Sequence, residues 1–174
     1  MTRATLVRFI ILFVVLVLAQ VLVCNHIVLF GVGVPMVFIY FIIALPIGMN
    51  MNLLYTLAFL IGFIIDIFSD SPGVNSLACL LLALVKTPAF YAYMARDDKT
   101  RYILPSISTL GWGVYSKYLL SLTAFYCVAV FAIEYFSLVD VREVLVMAGA
   151  STLLTFLLLM AIDCISMTRR PGRG

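Results

Sequence analysis

Charge is what this sequence has least of. Of its 174 residues, 11 are Lys or Arg and 8 are Asp or Glu, so 11% carry a formal charge, where soluble domains carry about a quarter. A water-soluble fold of this length needs a polar coat, and this chain has too little to make one. Its remaining surface is expected to face lipid. Long polar segments are missing as well, which argues against a soluble catalytic domain. Histidine is reduced to His26, so no histidine-rich metal site can form. The four cysteines, Cys24, Cys79, Cys127 and Cys164, lie far apart, within or beside apolar runs, without metal-type spacing. They read as buried or lipid-facing thiols. The net charge of +3 sits at helix ends rather than on one patch, so nucleic acid is not an expected partner. No phosphate loop, internal repeat or low-complexity linker is visible, and no cofactor or metal is expected.

What the chain does have is apolar residues, 65% of the total, gathered into six runs. A helical span needs about 20 apolar residues, with roughly 17–25 tolerated. The runs place spans at about 6–28, 34–49, 53–68, 74–94, 112–136 and 144–166. This predicts a single all-α domain, an integral membrane bundle of six transmembrane helices. Pro35 and Pro46 bracket the short second span, and proline is tolerated there only where neighbours satisfy the carbonyls it frees. The run Gly31-Val32-Gly33-Val34-Pro35 can equally be a break at the membrane surface. Arg3 and Arg8 before Phe9–Val23 imitate a signal peptide, but no small-x-small cleavage site follows, and Val23 stands where a lipoprotein signal needs a small residue before Cys24. The segment reads as a retained first helix.

Orientation follows from the basic residues. With the N-terminus inside, the cytoplasmic segments hold Arg3, Arg8, Arg96, Lys99, Arg101, Arg169, Arg170 and Arg173, and the outer loops hold only Arg142. That bias puts both termini in the cytoplasm. Tyr91, Tyr93, Trp112, Tyr115 and Tyr118 then read as an aromatic belt at the inner interface. The loop residues Arg96, Asp97, Asp98, Lys99 and Arg101 face cytoplasmic partners or anionic headgroups.

Ionisable groups inside apolar runs cost about 2.5–3.5 kcal/mol each at the membrane centre, so each needs a partner or a purpose. Asp66, Lys86, Lys117, Glu134 and Asp163 are the cases. The tight turn Ser69-Asp70-Ser71-Pro72-Gly73 makes spans three and four antiparallel neighbours and sets Asp66 level with Asn75 to Leu77. Lys86 lies roughly 13 Å deeper at 1.5 Å per residue, so Asn75 and Ser76 are the better partners for Asp66. Lys117 and Asp163 stand equally far from Asp140 in sequence, which puts them at one depth near the inner surface. They are expected to approach each other if their helix faces agree, and Lys86 to join them or to donate to carbonyls freed by Pro88. The stripe Ala58, Gly62, Asp66, Asp70 and the stripe Asn75, Cys79, Ala83 repeat every four residues. Small residues at that spacing let backbones approach closely, so the two stripes are expected to meet. Toward the outer side Asp66, Asp70, Glu134, Asp140 and Glu143 face Arg142 alone. Asp70, Asp140 and Glu143 read as solvated loop charges. Gly62, Asp66, Asn75 and Glu134 are the candidates for an outward cavity or for a surface that docks a basic segment.

The stretch from Gly62 to Ala78, with its glycine, an aspartate four residues later, a polar turn and a following apolar helix, resembles the MreD family of bacterial rod-shape-determining membrane proteins. It covers under a fifth of the chain; the length, six runs and inside termini also resemble that family. Pro72-Gly73 departs from it, since many relatives carry an apolar residue before the glycine. The resemblance implies a non-enzymatic scaffold of the cell-elongation machinery in the bacterial cytoplasmic membrane, and leaves open a homo-oligomer within the complex. It implies direct association with MreC, and indirect association with MreB filaments and with RodA and its penicillin-binding transpeptidase. It also implies a fold similar to the S-components of energy-coupling-factor transporters, which supplies the alternative: a substrate-binding subunit for vitamin-type uptake. Such subunits carry an alanine-xxx-alanine face on the first helix, and Leu6–Leu16 has none. An enzyme is not expected. His26 has no serine partner, and Asp66 and Asp163 fall near opposite membrane faces.

Overall fold

The computed structural model describes residues 3–24, 34–94, 103–134 and 141–168. Seven helices are found there: α1 (Arg3–Leu22), α2 (Ile39–Ala44), α3 (Met51–Ser69), α4 (Val74–Tyr93), α5 (Ile107–Leu110), α6 (Trp112–Glu134) and α7 (Val141–Thr168). Beside them lies one isolated backbone bridge, between Ile47 and Ile103. The stretches Met51–Ser69, Val74–Tyr93, Trp112–Glu134 and Arg142–Cys164 are each long and apolar enough to cross a membrane, and Val7–Leu22 is a shorter apolar helix. Four such helices mark a membrane protein. Their outward faces stay apolar, as lipid requires: Phe59, Phe63 and Ile67 on α3, and Leu145, Leu153 and Leu157 on α7, are all exposed.

Helices α3 and α4 form the closest pair, and α6 packs on both α4 and α7. Gly62 explains how near α3 and α4 come. A Cβ at that position would stand 2.6 Å from Ser76 Cα and 2.7 Å from the Asn75 carbonyl oxygen, so only glycine fits the crossing. Ala58, Cys79 and Ala83 are fully buried in the same seam, as the two stripes require. The turn joining the helices uses two left-handed residues, Asp70 (φ 51°) and Gly73 (φ 81°). Asp70 ends α3, its backbone N–H donating to the Asp66 carbonyl, and Asp70 itself is exposed.

The expected second span, 34–49, is not a continuous helix. Only Ile39–Ala44 is helical, although Pro35 to Ile43 are all buried. Proline is the cause at the C-terminal end. Leu45, the residue before Pro46, is extended with ψ 144°, because a following proline disfavours the helical region. The result is a short helix sunk in the bundle, flanked by non-helical backbone. Helix α5, absent from the six-run scheme, is a single turn with a Ser106–Thr109 capping box. It packs against α6 and α7, with Ile107 buried, while Ile47 N–H donates to the Ile103 carbonyl at 2.8 Å.

Candidate functional site

Two polar centres and one cavity organise the interior. The first centre is Asp66, which is 5% exposed. Helix α4 begins with Gly73 at its N-cap, and glycine has no side chain to bond the first free amides. Asp66 supplies that function from α3. Its Oδ1 accepts from Asn75 N–H at 2.9 Å, Asn75 Nδ2 at 3.0 Å and Ser71 Oγ at 2.8 Å. Its Oδ2 accepts from Ser76 N–H at 2.8 Å and Ser76 Oγ at 2.5 Å. A carboxylate at a helix N-terminus is also favoured by the helix dipole. Asn75 then carries the network to α6, accepting from the Tyr126 hydroxyl at 2.9 Å. The structure thus joins Gly62, Asp66 and Asn75 in one cluster, with the partners for Asp66 that depth predicts.

The cavity opens at the same end of the bundle, with a volume of about 510 Å³. Phe38, Phe68 and Phe131 form much of its wall, and Gln20, Asp70, Asn75 and Glu134 bring polar groups to it. Glu134, at the end of α6, is exposed. Glu134 and Asn75 both line the cavity, whereas Asp66 does not.

The second centre holds the broken segment in place. Its backbone groups lack helical partners and find side chains from three other helices instead. Gln20 of α1 accepts from Val37 N–H at 2.9 Å and donates Nε2 to the Pro35 carbonyl at 2.9 Å. From α7, Ser151 Oγ accepts from Val34 N–H at 3.1 Å and Thr155 Oγ1 from Met36 N–H at 3.0 Å. From α4, Lys86 Nζ donates to the carbonyls of Ile42 at 2.8 Å and Leu45 at 2.5 Å. Cations are favoured at helix C-termini, and Lys86, 1% exposed, is that cation for α2. Tyr40 of α2 donates its hydroxyl to Asp163 Oδ1 at 2.7 Å. Membrane proteins tolerate non-helical backbone only where protein satisfies it, and these residues meet that demand.

No family model, no curated protein and no solved structure matches this chain.

Three expectations need correction. Lys86, Lys117 and Asp163 do not form an inner cluster: Lys86 binds carbonyls of α2, Asp163 binds Tyr40, and Lys117 is exposed. Among the described residues no ion pair forms at Asp163. Equal spacing from Asp140 in sequence does not ensure a shared face. Tyr115, Tyr118, Leu122 and Tyr126 line the buried side of α6, and Lys117 is turned about 200° from Tyr115 at 100° per residue. The carbonyls that Lys86 reaches belong to α2, not to those freed by Pro88 in its own helix. The aromatic belt is also smaller than expected. Tyr91, Tyr93 and Trp112 are exposed, whereas Tyr115 and Tyr118 are buried core residues. His26, Asp140, the charged run at 96–101 and the arginines beyond 168 lie outside the described residues.

Gln20, Tyr40, Ser151 and Thr155 were not singled out from sequence. The available signal was the proline bracket around 34–49, which demands polar partners somewhere, and a polar residue within each long apolar run was a candidate to be one.

Proposed function

We propose that this chain is a non-enzymatic scaffold of the MreD type, a multi-pass protein of the bacterial cytoplasmic membrane with six crossings and both termini inside. In this reading it binds the single transmembrane helix of MreC and so positions the wall-synthesis machinery relative to cytoplasmic filaments. The observation that carries the reading is the outer face of α1. One side of that helix packs on α2 and α3, with Phe13 set edge-on to Phe41 at 5.1 Å. The other side presents Val7, Ile10, Ile11, Val14, Val15, Leu18 and Leu22, all exposed. These recur every three or four residues, the stripe by which one helix packs on another. Most of the polar side chains that line the interior are engaged in holding the bundle itself, which also favours a structural role over catalysis.

Co-purification with MreC from membranes tests this. The intact chain is expected to bring down MreC, and the Ile11→Ala/Val14→Ala/Leu18→Ala variant to bring down several-fold less at unchanged thermal stability. Failure of the intact chain to capture MreC overturns the scaffold. A second reading, a substrate-binding subunit for small-molecule uptake, is favoured by the cavity at Asn75 and Glu134, whose volume of about 510 Å³ lies in the small-molecule range. Saturable binding of a vitamin-type compound by the isolated chain, lost in Glu134→Gln, would decide for it.

A further inference from the structure

The cavity beside the α3–α4 turn has aromatic walls and few polar groups, and the hydrogen-bond donors among those groups are already engaged inside the protein. Asn75 uses both Nδ2 hydrogens, on Asp66 at 3.0 Å and Ser71 at 3.1 Å, and Ser71 gives its own to Asp66 at 2.8 Å. Gln20 donates to the Pro35 carbonyl, and Ser69 is engaged as well. The amides of Val34 and Met36, two further lining residues, donate to Ser151 and Thr155. What the wall still offers is negative charge, in the exposed carboxylates of Asp70 and Glu134. Among the described residues that line it there is no lysine, arginine or histidine.

The wider surroundings carry the same sign. Arg8, Lys86 and Lys117 stand about 18, 16 and 20 Å from the nearest lining residue along their own helices, at 1.5 Å per residue. Arg142, at the start of α7, is exposed and does not line the cavity. The other lysines and arginines come before Arg8 in sequence or after the far ends of α4 and α7. The sequence that adjoins the cavity at 25–33 and 135–140 holds His26 but no lysine or arginine, and adds Asp140. A ligand that complements this wall brings the donors and the positive charge itself. Phe38, Phe68 and Phe131 suit an apolar body attached to that charge, since aromatic rings attract cations as well as hydrocarbon. A bare metal ion would leave these rings unused, and no group of three His, Cys, Asp or Glu residues that could hold one is found among the described residues.

We propose that the cavity is a binding site for a small organic cation, an amine or quaternary ammonium compound with an apolar body. Its charge meets Glu134 and Asp70, and its body packs on the three phenylalanines. The volume of about 510 Å³ suits a ligand of that size. This rests on the second reading above, that the cavity holds a small molecule, and fixes the charge of that molecule. Val34, Met36 and Phe38 belong to the broken segment, so the bound cation also touches that segment.

The test is calorimetric titration of the full-length protein in detergent with benzyltrimethylammonium, with phenethylamine, and with benzoate as an anion of similar size. Both cations are expected to bind saturably and benzoate not to bind. Glu134→Gln should weaken the cations about five- to tenfold. Asp70→Asn should weaken them less, and asparagine tolerates the left-handed backbone at that position (φ 51°). Both side chains are exposed, so neither exchange threatens folding. Lys117→Gln, at the other end of α6, should change nothing. Bound cation should also slow hydrogen exchange at the amides of Val34 and Met36. No saturable binding of either cation in the millimolar range overturns the proposal, as does equal affinity in the Glu134→Gln/Asp70→Asn double variant. Binding without slower exchange at Val34 and Met36 places the cation elsewhere and overturns the site. If benzoate or a neutral vitamin-type compound binds instead, the small-molecule reading stands and the charge assignment falls. A lysine-containing peptide bound in preference to both amines overturns the small-molecule ligand in favour of a partner's basic segment.

Discussion

At the level of single side chains, Asp66 does for α4 what Gly73 cannot do for itself. Glycine is needed at position 73 for its φ of 81°, and the cost is an uncapped helix start. Asp66 covers the amides of Asn75 and Ser76 across the seam. Asp66→Ala is expected to lower stability by about 2–4 kcal/mol, since two cap bonds and three side-chain bonds to a charged group are lost. Asp66→Asn should cost less, because one amide oxygen can still accept. Denaturation in detergent compares the two. Lys86→Met removes the donor for two buried carbonyls, each worth about 1–3 kcal/mol when left unmet; stability should fall accordingly although the new residue is more apolar. Substitution by methionine that stabilised the protein would contradict the role given to Lys86. The Asp66 partners were legible in the sequence, because a five-residue turn leaves antiparallel helices one register. The partner of Lys86 was not. Its carbonyls lie more than forty residues away in sequence, on a segment whose own shape had to be known first.

The 34–45 segment is the element that gives the rest of the bundle its polar residues. Gln20, Lys86, Ser151 and Thr155 sit on different helices and converge on its backbone. Ser151→Ala and Thr155→Val should each cost about 1 kcal/mol. Their effect should be local: hydrogen exchange at the amides of Val34 and Met36 should quicken while amides of the α3–α4 seam keep their protection. Uniform loss of protection would mean that the segment has no local stability of its own. The long helices were legible as apolar runs, and their observed ends at 69, 74, 93 and 112 fall within a residue of the expected ones. The short second span was misjudged because hydropathy reports burial and not backbone shape. Residues 34–49 are apolar because most of them are buried in protein, and Pro46 ends the helix at Ala44.

Across the whole molecule the two ends differ in kind. One carries the Asp66 turn and the cavity with Glu134; the other is closed by α5 and the Ile47–Ile103 pairing. In the proposed topology, with six crossings and cytoplasmic termini, the first end would face outward. In a background without native cysteines, Asp70→Cys should react with an impermeant thiol reagent added to intact cells, and Ser108→Cys should react only after the membrane is opened. The reverse pattern would invert the topology. Apolar runs carry the long helices, whereas pairing between helices depends on rotation about each axis, which hydropathy does not encode; Lys117 and Asp163 show the difference. The convergence on 34–45 also has a consequence for biogenesis. Ribosomes deliver the segment early, but its partners Ser151 and Thr155 emerge more than a hundred residues later. Until α7 is in place, the amides of Val34 and Met36 lack these two partners, so the segment is expected to settle only when the last helix arrives.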